Sequence, residues 1–375
     1  MQIIADENIP HIHDYFSVFG NVVTVNGRHM SADQVAGADV VLVRSVTPVN
    51  RSLLEGAPVK FVGTCTIGTD HLDLAYLQNA GITYASAPGC NAGGVIQYVL
   101  TALSQLRENW MSLKFGIVGC GNVGGRLYRT LRSLGVNCVG YDPLLLSSSE
   151  LQLVDFDEVL QADVLCLHAP LTRESAFPSY HMFDQAVLAR LKPGSLLLNA
   201  GRGGVIDNTA LLALLEAGAD LEVVLDVWEH EPAINAQLAR AVTIGTPHIA
   251  GYSDEGRVNG SIMICRALAE FVGWDERRIS GHLAAIHQKI GGEGAKVQPR
   301  SLKHALELTY NIHADHQRLM AAVDGSGPLG AAFDHLRKHY PERHEPLYYR
   351  IDSSIDAKLL SQLQTLGFRS SGDQP

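Results

Sequence analysis

Short apolar runs alternate with amphipathic stretches along most of the chain. Near the start, "QIIAD", "NVVTVN", "DVVLVRS", "KFVGTC" and "ITYASA" read as strands, with "SADQVAGA", "NRSLLEGA" and "DLAYLQNA" as short helices between them. After a helix predicted from about Val95 to Glu108, the beat returns in "KFGIVG", "VNCVGYD", "DVLCLHA", "SLLLNAG", "LEVVLDV" and "AVTIGT". Strand, helix and strand at this spacing predict parallel sheets joined by crossover helices. Many of these strands are apolar at consecutive positions, the pattern of a strand covered on both faces. The beat stops after "VGWDERRISG". From about residue 276 the chain is rich in histidine and is interrupted by "GGEG" and "DGSGPLG". That change predicts a third, smaller domain.

Composition narrows the picture. A chain of 375 residues exceeds one ordinary core, so two or three domains are expected. With 46% hydrophobic and 18% charged residues, wholesale disorder is excluded. The net charge of −10, without a Lys/Arg run, argues against nucleic-acid binding. Asp6 and Glu7 break any early signal-like run, and no apolar stretch is long enough for a membrane helix. The 6 cysteines are scattered without a CxxC pair. They read as buried free thiols of a cytoplasmic protein, not as a disulfide frame or a metal site.

The first chemical phrase is "KFGIVGCGNVGGRLYRTLRSLGVNCVGYD". Gly119, Gly121 and Gly124 form G-x-G-x-x-G, a weak pattern alone in a chain with 36 glycines. Its context carries the weight. It follows an apolar strand, opens an amphipathic helix through Asn122 and Val123, and precedes a second strand that ends at Asp142. Gly119 permits the tight turn, Gly121 lets a pyrophosphate approach the backbone, and Gly124 lets helix pack on strand. The helix N-terminus then faces the pyrophosphate. Asp142 would accept from a ribose 2′-hydroxyl and repel a 2′-phosphate, which favours NAD over NADP.

Further on, Arg202 follows a buried strand among glycines, where its planar fork suits a carboxylate. Asp226 closes another strand in "LEVVLDVWEHEP", and "IGTPHIAGYS" places His248 just past a third. Glu229 and Glu231 are both candidates to face His248, and spacing does not choose between them. A carboxylate beside an imidazole fixes its tautomer. An Arg that holds a carboxylate, a His that takes a hydroxyl proton and a bound NAD together make sense as oxidation of a 2-hydroxy acid. His168 in "LHAP" is the rival base, with no Arg or acid nearby in sequence.

"GIVGCGNVGGR", "NAGRGGVIDNTAL", "LDVWEHEP" and "TPHIAG", in this order, resemble the D-isomer-specific 2-hydroxyacid dehydrogenases. The resemblance implies Arg202 as the substrate-binding Arg, Glu231 as the partner of the histidine and His248 as the acid/base. It places Asp226 and Gly251 near the nicotinamide, and leaves Ala169 a backbone contact to the cofactor. "ADENIP", "VLVRSVTPVN", "FVGTCTIGTDHLDL" and "SAPGCNAGG" extend it to the vitamin B6 branch of the family. That branch implies a small phosphorylated 2-hydroxy acid as substrate, with Ser45, Thr66 and Tyr252 touching it. In the wider family the helix after "PGCN" often carries an acid where this chain has Gln97. Other dehydrogenases of the family, of phosphoglycerate or glyoxylate/hydroxypyruvate type, are the alternative, as is a non-catalytic NAD(H)-sensing protein on the same scaffold.

The implied fold is α/β with two doubly wound parallel sheets and a smaller α+β tail. A Rossmann NAD-binding domain, residues 93–249, is inserted in a flavodoxin-like substrate domain of residues 1–92 and 250–275. Residues 276–375 form a dimerisation domain, with Leu302, Leu306 and Leu308 on an apolar face. The expected partner is a second copy of the chain.

Overall fold

The computed structural model describes residues 1–290, 294–352 and 354–371. The chain forms two compact units, one of Met1–Asn91 with Ser253–Glu293 and one of Ala92–Tyr252 with Gly294–Pro375.

In the first unit, β1 (Gln2–Asp6), β2 (Asn21–Val25), β3 (Val40–Val43), β4 (Phe61–Thr64) and β5 (Thr83–Ala85) form a parallel sheet in the order β2-β1-β3-β4-β5. Val40, Val41, Leu42 and Val43 are all fully buried, as consecutive apolar positions require of a central strand. The short helices Ala32–Val35, Arg51–Leu54 and Leu74–Asn79 fall on the stretches read as helical, and the start of each carries Ser31, Asn50 or Asp73 as its cap. Ile264 and Leu268 of the helix Asp254–Phe271 share a core with Ile3, Leu42 and Phe61.

In the second unit, β6 (Phe115–Val118), β7 (Cys138–Tyr141), β8 (Val164–Leu167), β9 (Ser195–Asn199), β10 (Leu221–Leu225) and β11 (Ile244–Gly245) form a parallel sheet in the order β11-β10-β9-β8-β6-β7. The chain leaves β6 for β7 on one side and returns to β8 on the other, so the strand order reverses between β6 and β8. Ligands of open α/β sheets bind at the carboxyl ends of the strands at such a reversal. The register pairs Val118 with Leu167, which brings Gly119 and His168 together at that point.

The tail adds a small parallel sheet of β12 (Lys296–Val297), β13 (Arg350–Ile351) and β14 (Arg369–Ser370), with helices Leu302–Thr309, Ile312–Val323, Leu329–Lys338 and Ala357–Thr365. It does not build a separate core. Leu302, Leu306, Leu363 and Phe368 pack with Val99, Leu103 and Leu127, while Leu319 and Phe333 pack with Leu238 and Ile234. Leu302 and Leu306 are thus buried within the chain, whereas Leu308 is exposed. All 6 cysteines are buried and free. Among the described residues no helix is long and apolar enough to cross a membrane.

Candidate active site

The three loop glycines meet three different demands. Gly119 has φ +84°, and a Cβ there would lie 2.5 Å from the Ala169 nitrogen. A Cβ on Gly124 would lie 1.9 Å from the Gly119 carbonyl oxygen, so the helix Asn122–Ser133 can start this close to β6 only with glycine. A Cβ on Gly121 meets nothing within 4 Å. The loop therefore presents open backbone at Gly121, the N-cap of that helix, with Asn122 and Val123 next in line. Asp142 follows β7. Its Oδ2 accepts from the Cys120 N–H at 2.9 Å and its Oδ1 from the Leu144 N–H at 3.0 Å. The acid is thus tied to the glycine loop itself. Donors of a helix start, open backbone and an adjacent acid fit a dinucleotide.

His248 sits after β11 with φ +56°, a left-handed conformation that costs a non-glycine residue on the order of 1 kcal/mol. Asp226, at the end of β10, supplies the hydrogen bonds that hold it. Its carboxylate accepts from Thr246 Oγ1 at 2.7 Å, from the Ile249 N–H at 2.7 Å and from the Ala250 N–H at 2.9 Å. Its carbonyl accepts from the His248 N–H at 2.7 Å. Tyr98 and Trp228 brace the same turn through Thr246, at 2.8 and 2.9 Å. Burial raises the Asp226 carboxyl above its ordinary value, and the charge of His248 with these donors partly offsets it.

Of the two acids that spacing left open, Glu231 reaches the histidine. His248 Nδ1 lies 2.7 Å from Glu231 Oε2, and the Trp228 N–H donates to Glu231 Oε1 at 2.8 Å. Burial pushes the Glu231 carboxyl up, but His248, Arg337 and the Trp228 N–H together hold it below the usual carboxylate range. Glu229 is committed elsewhere, to His181 Nε2 at 2.7 Å and the Asn208 N–H at 2.9 Å. The Glu231 bond assigns a proton to Nδ1 and leaves the Nε2 lone pair for chemistry.

Arg202 lies in the turn after β9. Gly203 beside it packs so tightly on Trp228 that a Cβ would fall 2.0 Å from the Trp228 carbonyl. This contact holds the arginine loop against the loop that carries Glu231. Gly251 and Tyr252 come after His248, Ile249 and Ala250, and both are half-buried. His168 is placed differently. Neither ring nitrogen has a hydrogen bond, and burial pushes the ring down to about 4, so it stays neutral with no carboxylate to orient it. Ala169 is buried against Gly119.

Ser45 and Thr66 belong to the first unit, just past the carboxyl ends of the paired strands β3 and β4. Ser45 is exposed, and Thr66 Oγ1 lies 2.8 Å from Thr64 Oγ1. Neighbouring Arg44 is engaged with the fully buried Asp6 at 3.0 Å. Sequence reasoning missed Thr246 and two arginines of the tail, Arg337 and Arg343. Thr246 opens the "TPHIAG" run, which is where a signal for it lay, whereas nothing local to Arg337 and Arg343 distinguishes them from ordinary surface residues.

Residues 102–250 match the family described as D-isomer specific 2-hydroxyacid dehydrogenase, NAD binding domain, and residues 289–367 match a domain of unknown function. The erythronate-4-phosphate dehydrogenase of Cellvibrio japonicus is 46% identical, over 98% of this chain and 100% of its own. The enzyme of that name from Saccharophagus degradans is 48% identical, over 98% and 99% of the two chains. Among solved structures, an NAD+-bound 3-phosphoglycerate dehydrogenase of Entamoeba histolytica superposes with TM-score 0.63 at 22% identity, covering 72% of this chain and 95% of that one. An Aquifex aeolicus D-lactate dehydrogenase gives TM-score 0.61 at 22% identity, over 77% and 98%. These structures share the fold.

Proposed function

The chain belongs to the erythronate-4-phosphate dehydrogenases of the D-isomer specific 2-hydroxyacid dehydrogenase family, and from its site we propose that it oxidises 4-phospho-D-erythronate to 3-hydroxy-2-oxo-4-phosphobutanoate on the way to pyridoxal 5′-phosphate. The observation that carries the chemistry is the Glu231–His248 contact of 2.7 Å beside the Arg202 loop. Arg202 grips the substrate carboxylate and polarises the C2 oxygen. His248 Nε2 accepts the C2 hydroxyl proton, and Glu231 holds the ring and stabilises the imidazolium that results. NAD, when bound on the glycine loop, supplies the hydride acceptor. Ser45, Thr66 and Tyr252 contact the rest of the substrate, and Asp226 and Gly251 shape the nicotinamide end.

A panel of 2-hydroxy acids with and without a 4-phosphate, followed by NADH absorbance, tests this reading. The highest kcat/KM is expected for 4-phospho-D-erythronate. A preference for an unphosphorylated or three-carbon acid would reassign the substrate.

Asp142 sets the cofactor choice in this proposal. Asp142→Ala removes the acceptor for the ribose 2′-hydroxyl and the repulsion of a 2′-phosphate. The ratio of kcat/KM for NAD over NADP is expected to fall by about tenfold or more. An unchanged ratio would place the ribose elsewhere.

In the same reading, residues 93–249 hold the cofactor, residues 1–92 with 250–275 hold the substrate, and residues 276–375 join two copies in the cytoplasm. Leu308, 45% exposed on a helix whose Leu302 and Leu306 are buried, marks an apolar position of the tail that a second copy would cover. Light scattering of the whole chain is expected to give twice the 40.5 kDa of one copy, and Leu308→Lys to weaken that dimer. A monomer at micromolar concentration would remove the proposal.

A further inference from the structure

The helix Leu329–Lys338 and the segment after it lie on the catalytic loops of their own unit. Gly330 rests on Pro232, 3.6 Å from where its Cβ would be, directly after Glu231. Arg343 donates to the carbonyls of Ala250 at 2.5 Å and Gly94 at 3.3 Å. Tyr340 donates to the buried Asp315 at 2.7 Å and meets the ring of Tyr252 edge-on, with centroids 5.8 Å apart. Between them stands Arg337. Its Cζ lies 5.6 Å from the centre of the Tyr252 ring, and its Nε is shielded from solvent without a hydrogen bond.

We propose that Arg337 is a positioning residue for the acid–base pair, fixing Tyr252 and balancing the Glu231 carboxylate, so that the tail completes the active site of its own chain. Two electrostatic facts support this. Burial works against the Arg337 cation, but Tyr252 and Glu231 more than offset it. The same cation helps hold the Glu231 carboxyl low. Among the described residues, the charged or titratable groups set against this pair include Asp226 from the end of β10, Tyr252 from the following loop and Arg337 from the tail. Without Arg337 the Glu231 carboxylate loses a cation that offsets it, so oxidation is expected to need higher pH.

The test compares Arg337→Met and Arg337→Lys by kcat and KM across pH, with an NADH titration to verify the fold. Arg337→Met is expected to lower kcat about thirtyfold and to move the rise of oxidation with pH upward by about one unit. Arg337→Lys, which keeps the charge, is expected to recover the profile and to stay within about threefold of the parent rate. Three results overturn the proposal. One is a Met variant within about twofold of the parent with an unmoved profile. Another is equal impairment by Met and Lys with an unmoved profile, which would mean a packing role alone. The third is a loss confined to KM for the phosphorylated acid, which would make Arg337 a substrate contact. The inference rests on the assignment of His248. If His248→Ala turns over normally, that assignment fails first; a flat Arg337 result in an enzyme that needs His248 overturns only the role of the tail.

Discussion

Replacing His248 by alanine is expected to slow oxidation by about a thousandfold while leaving NADH affinity nearly unchanged. The magnitude is that of a general base whose proton acceptor is lost, with substrate and cofactor still held. The split between rate and affinity follows from placement. The glycine loop lies at the ends of β6 and β7, while His248 stands past β11, with Nδ1 on Glu231. The pH profile carries the same signature. In the proposed mechanism oxidation uses neutral His248 and reduction uses its protonated form, so the two rates are expected to respond to pH in opposite directions. Glu231 is held below the usual carboxylate range and stays ionised throughout, so it adds no second step there. Stopped-flow NADH fluorescence with the purified variant checks both parts. Near-normal turnover would remove His248 from the mechanism, and His168, half-buried and without an orienting acid, would have to be reconsidered.

Arg202→Lys is expected to lower kcat/KM by about a hundredfold, close to 3 kcal/mol of transition-state binding. The charge survives in this variant, so the loss measures the bidentate fork. Lysine offers a point charge that can neutralise the carboxylate but cannot hold it in one plane with the C2 oxygen. The turn that carries Arg202 is itself rigid, since Asn199 Nδ2 donates to the Arg202 carbonyl at 3.0 Å and Gly203 is wedged on Trp228. A lysine there has no slack with which to recover the geometry. Steady-state kinetics with 4-phospho-D-erythronate decides. A change under about threefold would reduce Arg202 to a loop residue.

Both expectations depend on positions that the sequence itself makes visible. The glycine loop was legible because its demands are local. A positive φ, an open approach and a close helix start each require glycine at a fixed spacing, and Asp142 must end the next strand. The parallel sheets were legible for a similar reason, since burial on both faces leaves consecutive apolar residues such as Val40 to Val43. Arg202, Asp226 and His248 could be singled out because each follows such a run, where the carboxyl ends of parallel strands gather.

The choice between Glu229 and Glu231 was of another kind. The two acids are two residues apart in one turn, and which of them faces His248 depends on the backbone path between Trp228 and Pro232. The resemblance pointed to Glu231, and the packed turn supplies the physical reason, since Asn208 and His181 draw Glu229 away. The role of Asp226 was equally hidden. Its partners at Thr246, Ile249 and Ala250 come from the next strand and the loop beyond, so only the folded chain shows that it holds the histidine turn. The tail lay furthest from the sequence pattern. Its irregular rhythm suggested a separate small domain, yet its apolar residues complete a core begun by the cofactor fold, and Arg337 reaches Tyr252 only through that packing. Local backbone demands and strand burial leave their mark on neighbouring residues, and these the sequence by itself determined. Contacts between distant segments are chosen by side-chain direction and shared core volume, and these only the tertiary structure decided.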